Sequence, residues 1–163
     1  MSHRAVIFDL DGTLVDNMAI HGDAFAHFCG RHGLPPFTLE MRRRLDGKRN
    51  RDIFPILFER EHAPAELRAL ADEKEALYRE LSSGRLSAMP GLLEFLRRLR
   101  AQRIGVAIAT SAPPENVTHS LAALGLVTAF PVIARSDEVP RGKPHPDVFL
   151  AAAAKLGVRG EEC

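Results

Sequence analysis

The stretch Phe8-Asp9-Leu10-Asp11-Gly12-Thr13-Leu14-Val15-Asp16 constrains this chain more than any other. It continues a short apolar run, Ala5-Val6-Ile7-Phe8, which reads as a buried strand. In extended backbone, residues i and i+2 point to the same side. Asp9 and Asp11 therefore face one pocket, and Gly12 lets the chain turn away from it. Two carboxylates this close repel unless a cation or a shared proton relieves them. Hard cations prefer carboxylate oxygens, so the pattern suits Mg²⁺ and phosphate chemistry.

The next strand-like run, Ile104 to Ala109, comes about a hundred residues later. Most of the intervening segment has helical periodicity. Met18 to Arg31 carries Met18, Phe25, Phe28 and Cys29 on its apolar side, and Gly33 is placed to stop it. Thr38 caps a second helix whose positive end suits Glu40. Gly47 to Asp52 reads as a loop, and an apolar face runs from Ile53 to Phe58 around Pro55. Pro64 and Glu66 open a longer helix with Leu67, Leu70, Lys74, Leu77, Tyr78 and Leu81 at helical spacing. From Met89 the pattern alternates. A helix begins at Pro90-Gly91 with Leu92, Leu93, Leu96 and Leu99 inward, and the strand Ile104 to Ala109 follows it. Glu115 to Leu124 is helical, Phe130 to Ala134 is a third strand, and Pro146 to Leu156 is a last helix. Such alternation predicts a parallel sheet with helices on its faces. Ligands of these sheets bind at the carboxyl ends of the strands. Asp9, Thr110 and the loop after Ala134 all lie at such ends.

Composition excludes several alternatives. The net charge of +1 gives no reason to expect nucleic acid, and the basic run Arg42-Arg43-Arg44 lacks interleaved aromatics. It reads as a solvated helix face. Two cysteines, Cys29 and Cys163, are too few for a disulfide framework and suit a reducing cytosol. No apolar run is long enough to span a membrane, and the amino terminus leads almost directly into a strand. A cytoplasmic monomer is expected.

Two further motifs carry chemistry. Thr110-Ser111 sits at the same sheet edge as Asp9, where a hydroxyl can donate to a phosphate oxygen or cap the following helix. Arg141-Gly142-Lys143-Pro144-His145-Pro146 presents Lys143 as a compact cation suited to phosphate and to a carboxylate.

The first stretch resembles the opening motif of the haloacid dehalogenase superfamily. The order of Phe-Asp-Leu-Asp-Gly-Thr, a helical insert, Ala109-Thr110-Ser111 and Gly142-Lys143-Pro144-His145-Pro146 resembles its β-phosphoglucomutase-like branch, over almost the whole chain. The resemblance implies an α/β fold: a Rossmann-like core from residues 1–16 and 87–163, with 17–86 inserted as a mobile helical cap. It implies that Asp9 is the nucleophile and forms a phosphoaspartyl intermediate. Asp11 becomes the general acid and base, and its main-chain carbonyl also ligates Mg²⁺, so that Asp9 and Asp11 form the metal site. Thr110 binds the transferring phosphoryl group, and Lys143 neutralises charge on it and on Asp9. His21 in the first cap helix, with Lys48, Arg49 and Arg51 in the 47–52 loop, can reach the substrate from the cap or form a solvated surface.

Two departures from the family pattern stand out. Its fourth motif, an acidic pair after a further strand, has no counterpart, because the chain stops at Cys163 about where that strand should begin. Glu161 and Glu162 precede that strand and are not ligands. Truncation of a longer protein is the favoured explanation. In the cap loop, the mutase pattern Gly-Val-Ser-Arg-Glu-Asp has Asn50 at its arginine position. The expectation is thus a Mg²⁺-dependent phosphatase of small phosphorylated metabolites, with a sugar phosphate among the candidates. A β-phosphoglucomutase-type mutase is the alternative. A true dehalogenase needs neither Asp11 nor a metal. A non-catalytic member that binds phosphorylated ligands or a partner would suit loss of the fourth motif.

Overall fold

A computed structural model describes residues 3–163 of the chain. Three strands, β1 (Ala5–Phe8), β2 (Gly105–Thr110) and β3 (Val132–Arg135), form a parallel sheet in the order β1-β2-β3. Ala5 pairs with Gly105 and Phe8 with Ile108; Ala107 pairs with Val132 and Thr110 with Arg135. Between β1 and β2 lie α1 (Met18–Arg31), α2 (Leu39–Leu45), α3 (Asn50–Phe58), α4 (Pro64–Ser82) and α5 (Leu92–Ala101). Helix α6 (Pro114–Ala123) follows β2, and α7 (Asp147–Lys155) follows β3.

The period-2 alternation of β2 sorts its side chains between two clusters. Ile108 packs with Phe8, Leu92, Leu99, Val117, Leu121 and Phe130 on one face. Ala107 and Ala109 pack on the other, with Ala134, Val148 and Ala152. Small residues on that face let α7 lie close to the sheet. A third cluster joins Phe25, Phe28, Leu45, Phe54, Leu57, Leu77 and Tyr78 from α1 to α4. Helices α1 and α4 form its largest contact. The aromatic rings interlock: Phe28 and Phe54 centroids are 5.3 Å apart.

Local signals act as expected at several ends. Thr38 Oγ1 accepts the Met41 N–H at 3.2 Å and caps α2. Pro64 opens α4 at its first turn. Gly12 has φ of +70°, and a Cβ there would sit 2.8 Å from Met18 Cγ. This turn therefore needs glycine for both conformation and space. Two expectations need correction. The 47–52 loop is shorter than its residue types suggested, because α3 already begins at Asn50 and runs through Pro55. Leu93 is not inward but 57% exposed. Leu92, Leu96 and Leu99 share a stripe, whereas Leu93 lies on the stripe of Arg97 and Arg100.

Candidate active site

The carboxyl ends of β1, β2 and β3 open into a cavity of about 290 Å³ roofed by the α1–α4 segment. Asp9, Asp11, Ser111, Ala112, Asn116 and Lys143 contribute from the sheet side. Met18, His21, Gly47, Lys48, Asn50, Lys74 and Glu75 contribute from the helical side. The extended backbone at the end of β1 brings both carboxylates to this one space.

Lys143 Nζ lies 2.6 Å from Asp9 Oδ2 and 5.1 Å from the centre of the Phe149 ring. The other oxygen, Asp9 Oδ1, accepts the Leu10 N–H at 2.8 Å. Asp9 is thus oriented at both oxygens. Asp11 Oδ1 accepts from Asn17 Nδ2 at 2.7 Å, with His21 Nε2 at 3.5 Å. Burial pushes the Asp11 carboxyl up. His21, Asn17 and Lys74 outweigh that burial and hold it below the usual aspartate value. The buried Asn17 also donates to Tyr78 Oη at 2.7 Å and accepts the Gly12 N–H at 3.1 Å. The imidazole of His21 stacks on Tyr78 with centroids 3.9 Å apart. One buried network therefore ties the tight turn after β1 to helices α1 and α4.

The other residues singled out in the sequence take varied positions. Thr110 is fully buried, and its Oγ1 accepts the Ala112 N–H at 3.0 Å. Ser111 Oγ donates to the Gly47 carbonyl at 2.7 Å and lies 3.0 Å from Ser136 Oγ. It therefore joins the end of β2 to the turn before α3. Lys48 lines the cavity, but Arg49 and Arg51 do not. Arg49 pairs with Asp52 at 2.6 Å, and its guanidinium donates to the Ser136 and Pro140 carbonyls at 3.5 and 3.4 Å. It lies against Gly142, where a Cβ would meet Arg49 Nε at 2.6 Å. The Arg51 side chain is half exposed beside Asp52. Of the two readings open for these arginines, substrate contact or a solvated surface, this arrangement shows neither side chain lining the cavity, and both lie beside Asp52. Glu162 pairs with Arg4 and Arg159, outside the site.

Sequence reasoning missed the site roles of four residues around the cavity: Asn17, Lys74, Glu75 and Asn116. Lys74 Nζ donates to Glu75 Oε1 at 2.8 Å and lies 4.5 Å from the centre of the Phe25 ring. Glu75 Oε1 also accepts from Asn50 Nδ2 at 2.7 Å, and Glu75 Oε2 accepts from Asn116 Nδ2 at 2.5 Å. Asn116 in turn accepts from Arg79 at 2.8 Å. Burial raises the Glu75 carboxyl, but the Lys74 charge and these hydrogen bonds bring it below its ordinary value. The available signal was Lys74 itself, a charge within the apolar stripe of α4.

The site can hold a divalent cation. Asp9 could offer a carboxylate oxygen and Asp11 its main-chain carbonyl, with water and substrate phosphate completing a Mg²⁺ shell. Among the described residues, no group of three or more His, Cys, Asp or Glu side chains converges as a full metal cage.

Residues 6–163 match the model of the haloacid dehalogenase-like hydrolases. The chain belongs to this family. It is 33% identical to a phosphorylated carbohydrates phosphatase of Thermotoga maritima, over 98% of this chain and 73% of that protein. It is 32% identical to the β-phosphoglucomutase of Bacillus subtilis, over 98% and 73% of the two chains. A hydrolase of Pseudomonas syringae superposes with a TM-score of 0.85 at 31% identity, covering 98% of this chain and 73% of the other. These likenesses place this haloacid dehalogenase-like hydrolase in the β-phosphoglucomutase-like branch, with the Rossmann-like parallel sheet of that fold. No helix of the described residues is long and apolar enough to cross a membrane.

Proposed function

We propose that this protein is a Mg²⁺-dependent phosphatase of small phosphorylated metabolites, sugar phosphates foremost, working through a phosphoaspartyl intermediate. The observation that carries the reading is the Asp9–Lys143 pair at 2.6 Å, beside a separately held Asp11, in one cavity at the carboxyl edge of the sheet. Phosphoryl transfer asks a protein mainly for positioning and charge neutralisation. Asp9 attacks phosphorus and the ester oxygen leaves, taking a proton from Asp11. Water then attacks the phosphoaspartate, and Asp11 takes the proton from that water. Phosphate departs and Asp9 is restored. Lys143 offsets charge on Asp9 and on the transferring group in both steps.

The two roles of Asp11 need two protonation states. His21, Asn17 and Lys74 favour its carboxylate, the form needed by the base. Arrival of a phosphate dianion opposes that ionisation, and a proton taken up from solvent gives the acid form. A bound Mg²⁺, held by Asp9 and Asp11, would add positive charge opposite the phosphate oxygens. The α1–α4 segment, residues 17–86, is read as a cap whose closure excludes bulk water.

Two findings support a phosphatase over a mutase. The relative from Thermotoga maritima is a phosphatase. Asn50 bonds to Glu75 rather than offering a cationic fork to a second phosphate. The test supplies full-length protein and Mg²⁺ with β-glucose 1-phosphate and a trace of glucose 1,6-bisphosphate. Free phosphate is the expected product. Glucose 6-phosphate accumulating much faster than phosphate would reverse the assignment.

A further inference from the structure

The part of the cavity wall that α4 supplies is an ion pair. Lys74 and Glu75 are 3% and 6% exposed, and both line the cavity. The Glu75 carboxylate receives three donors: Lys74 and Asn50 on Oε1, and Asn116 on Oε2. A carboxylate offers about four acceptor directions, so Oε2 retains one. An ammonium has three protons. Lys74 directs one to Glu75 and has His21 Nδ1 at 3.5 Å, leaving a donor for a ligand. The wall therefore presents one acceptor and one donor side by side, with little net charge. That pair matches a hydroxyl-bearing carbon chain. A second phosphate or carboxylate finds no net attraction there, because the Lys74 charge is already balanced by Glu75 and the anion would have to shed its water beside that carboxylate.

We infer that Glu75 determines specificity: it accepts hydrogen bonds from leaving-group hydroxyls and excludes substrates that carry a second anionic group. This rests on the phosphatase reading and narrows its substrates to phosphomonoesters of uncharged polyols and sugars. The neighbouring amides support the assignment. Asn50 and Asn116 approach the carboxylate from the roof and the sheet side respectively, so its position is set before any ligand enters. A site built to bond a hydroxyl rejects analogues lacking it, because its buried groups are then left unpaired.

The experiment measures binding by calorimetry in Mg²⁺ buffer, with every titrated protein carrying Asp9→Asn so that no ligand is hydrolysed; wild type here refers to position 75. Sorbitol 6-phosphate, fructose 1,6-bisphosphate and inorganic phosphate are titrated into wild-type protein, Glu75→Gln and Glu75→Asp. The wild type should bind sorbitol 6-phosphate at least about tenfold more tightly than the bisphosphate. Glu75→Gln should lose about tenfold or more on sorbitol 6-phosphate, the scale of one lost charged hydrogen bond. It should gain on the bisphosphate and keep its affinity for inorganic phosphate. Glu75→Asp retains the charge but shortens its reach. It should lose sorbitol 6-phosphate while still rejecting the bisphosphate, and it decides the matter if the Gln variant does not fold. Equal losses for sorbitol 6-phosphate and inorganic phosphate, or a wild-type preference for the bisphosphate, would overturn the inference. Release of phosphate from p-nitrophenyl phosphate, assayed in parallel, reports on the phosphatase reading separately. Activity there with unselective binding removes only the role of Glu75, whereas selective binding without turnover removes only the chemistry.

Discussion

At the scale of single residues, the site separates a nucleophile from a proton carrier by giving each carboxylate different company. Asp9 has a lysine at 2.6 Å, while Asp11 has an amide, an imidazole and a more distant lysine. Asp9→Asn should abolish turnover, because an amide does not attack phosphorus and removing a covalent nucleophile removes orders of magnitude in rate. Retained wild-type phosphate release on any substrate would contradict the role. Asp11→Asn should depend on the leaving group. Acid help is worth roughly 10²–10⁴-fold and matters least when the leaving group needs no proton. The loss should therefore be larger for a sugar phosphate than for p-nitrophenyl phosphate, and equal losses would count against Asp11 as the acid. Glu75 adds a pH effect. Its carboxyl is held below the ordinary value, so folding favours the charged form. The sign follows: this contribution is complete above the ordinary glutamate value of roughly 4.3 and fades as pH falls through and below it. Glu75→Gln should cost about 3 kcal/mol or more at neutral pH, where it strands Lys74, and the gap from wild type should narrow by pH 3. Urea unfolding at both pH values measures this.

At the scale of elements, polar contacts fasten the roof to the sheet side, and three of them border the cavity or the Lys143 loop. Ser111 bonds to the turn before α3, Arg49 at the start of α3 bonds to the carbonyls of Ser136 and Pro140, and Asn116 of α6 bonds to Glu75 of α4. Gly142 matters here for space rather than for backbone conformation. A methyl at this position would lie 2.6 Å from Arg49 Nε. Gly142→Ala should therefore push the guanidinium off its carbonyls and loosen the roof. The expected result is severalfold faster proteolysis around residues 46–49 and a higher KM, with melting temperature nearly unchanged. Arg49→Ala should do the same, and protection equal to wild type in both variants would show that the contact is not a fastener. These fasteners were not legible in the sequence, since each joins residues 41 to 91 positions apart. The caps and stops were legible because their partners are local: Thr38 with Met41, or Pro64 at the head of its own helix. Leu93 shows the limit of a local reading. Counting apolar residues put it inside, but the phase of the Leu92-Leu96-Leu99 stripe puts it in solvent.

At the scale of the whole molecule, the buried residues divide between the sheet and the α1–α4 segment, with Leu86 packed against both. Phe54 is fully buried within the helical cluster. Phe54→Ala should cost about 3–5 kcal/mol of local stability. Because the clusters are separate, amide exchange should accelerate across α1 to α4 while β1, β2 and β3 stay protected. Uniform acceleration would show that the two units unfold as one.

Much of this protein was written locally. The period-2 and period-3.6 patterns placed strands and helices to within a residue or two, except for α3, which starts three residues before its apolar run. The Asp-x-Asp spacing at a strand end was enough to bring Asp9 and Asp11 to one side, because strand geometry alone sets that direction. Lys143 stood out because a lysine held between Gly142 and Pro144 is presented in a stiff loop. The distance of 2.6 Å to Asp9 came only with folding, since it depends on β3 lying two strands from β1 in a parallel sheet. The polar roof likewise depended on how α1, α3, α4 and α6 face one another. Glu75 is one of many glutamates in the chain. Only its burial beside Lys74, with two amides converging from other helices, turns an ordinary helix residue into a fixed anion facing the cavity. Helical periodicity sets which way a residue points along its own helix, but it carries no information about what stands opposite.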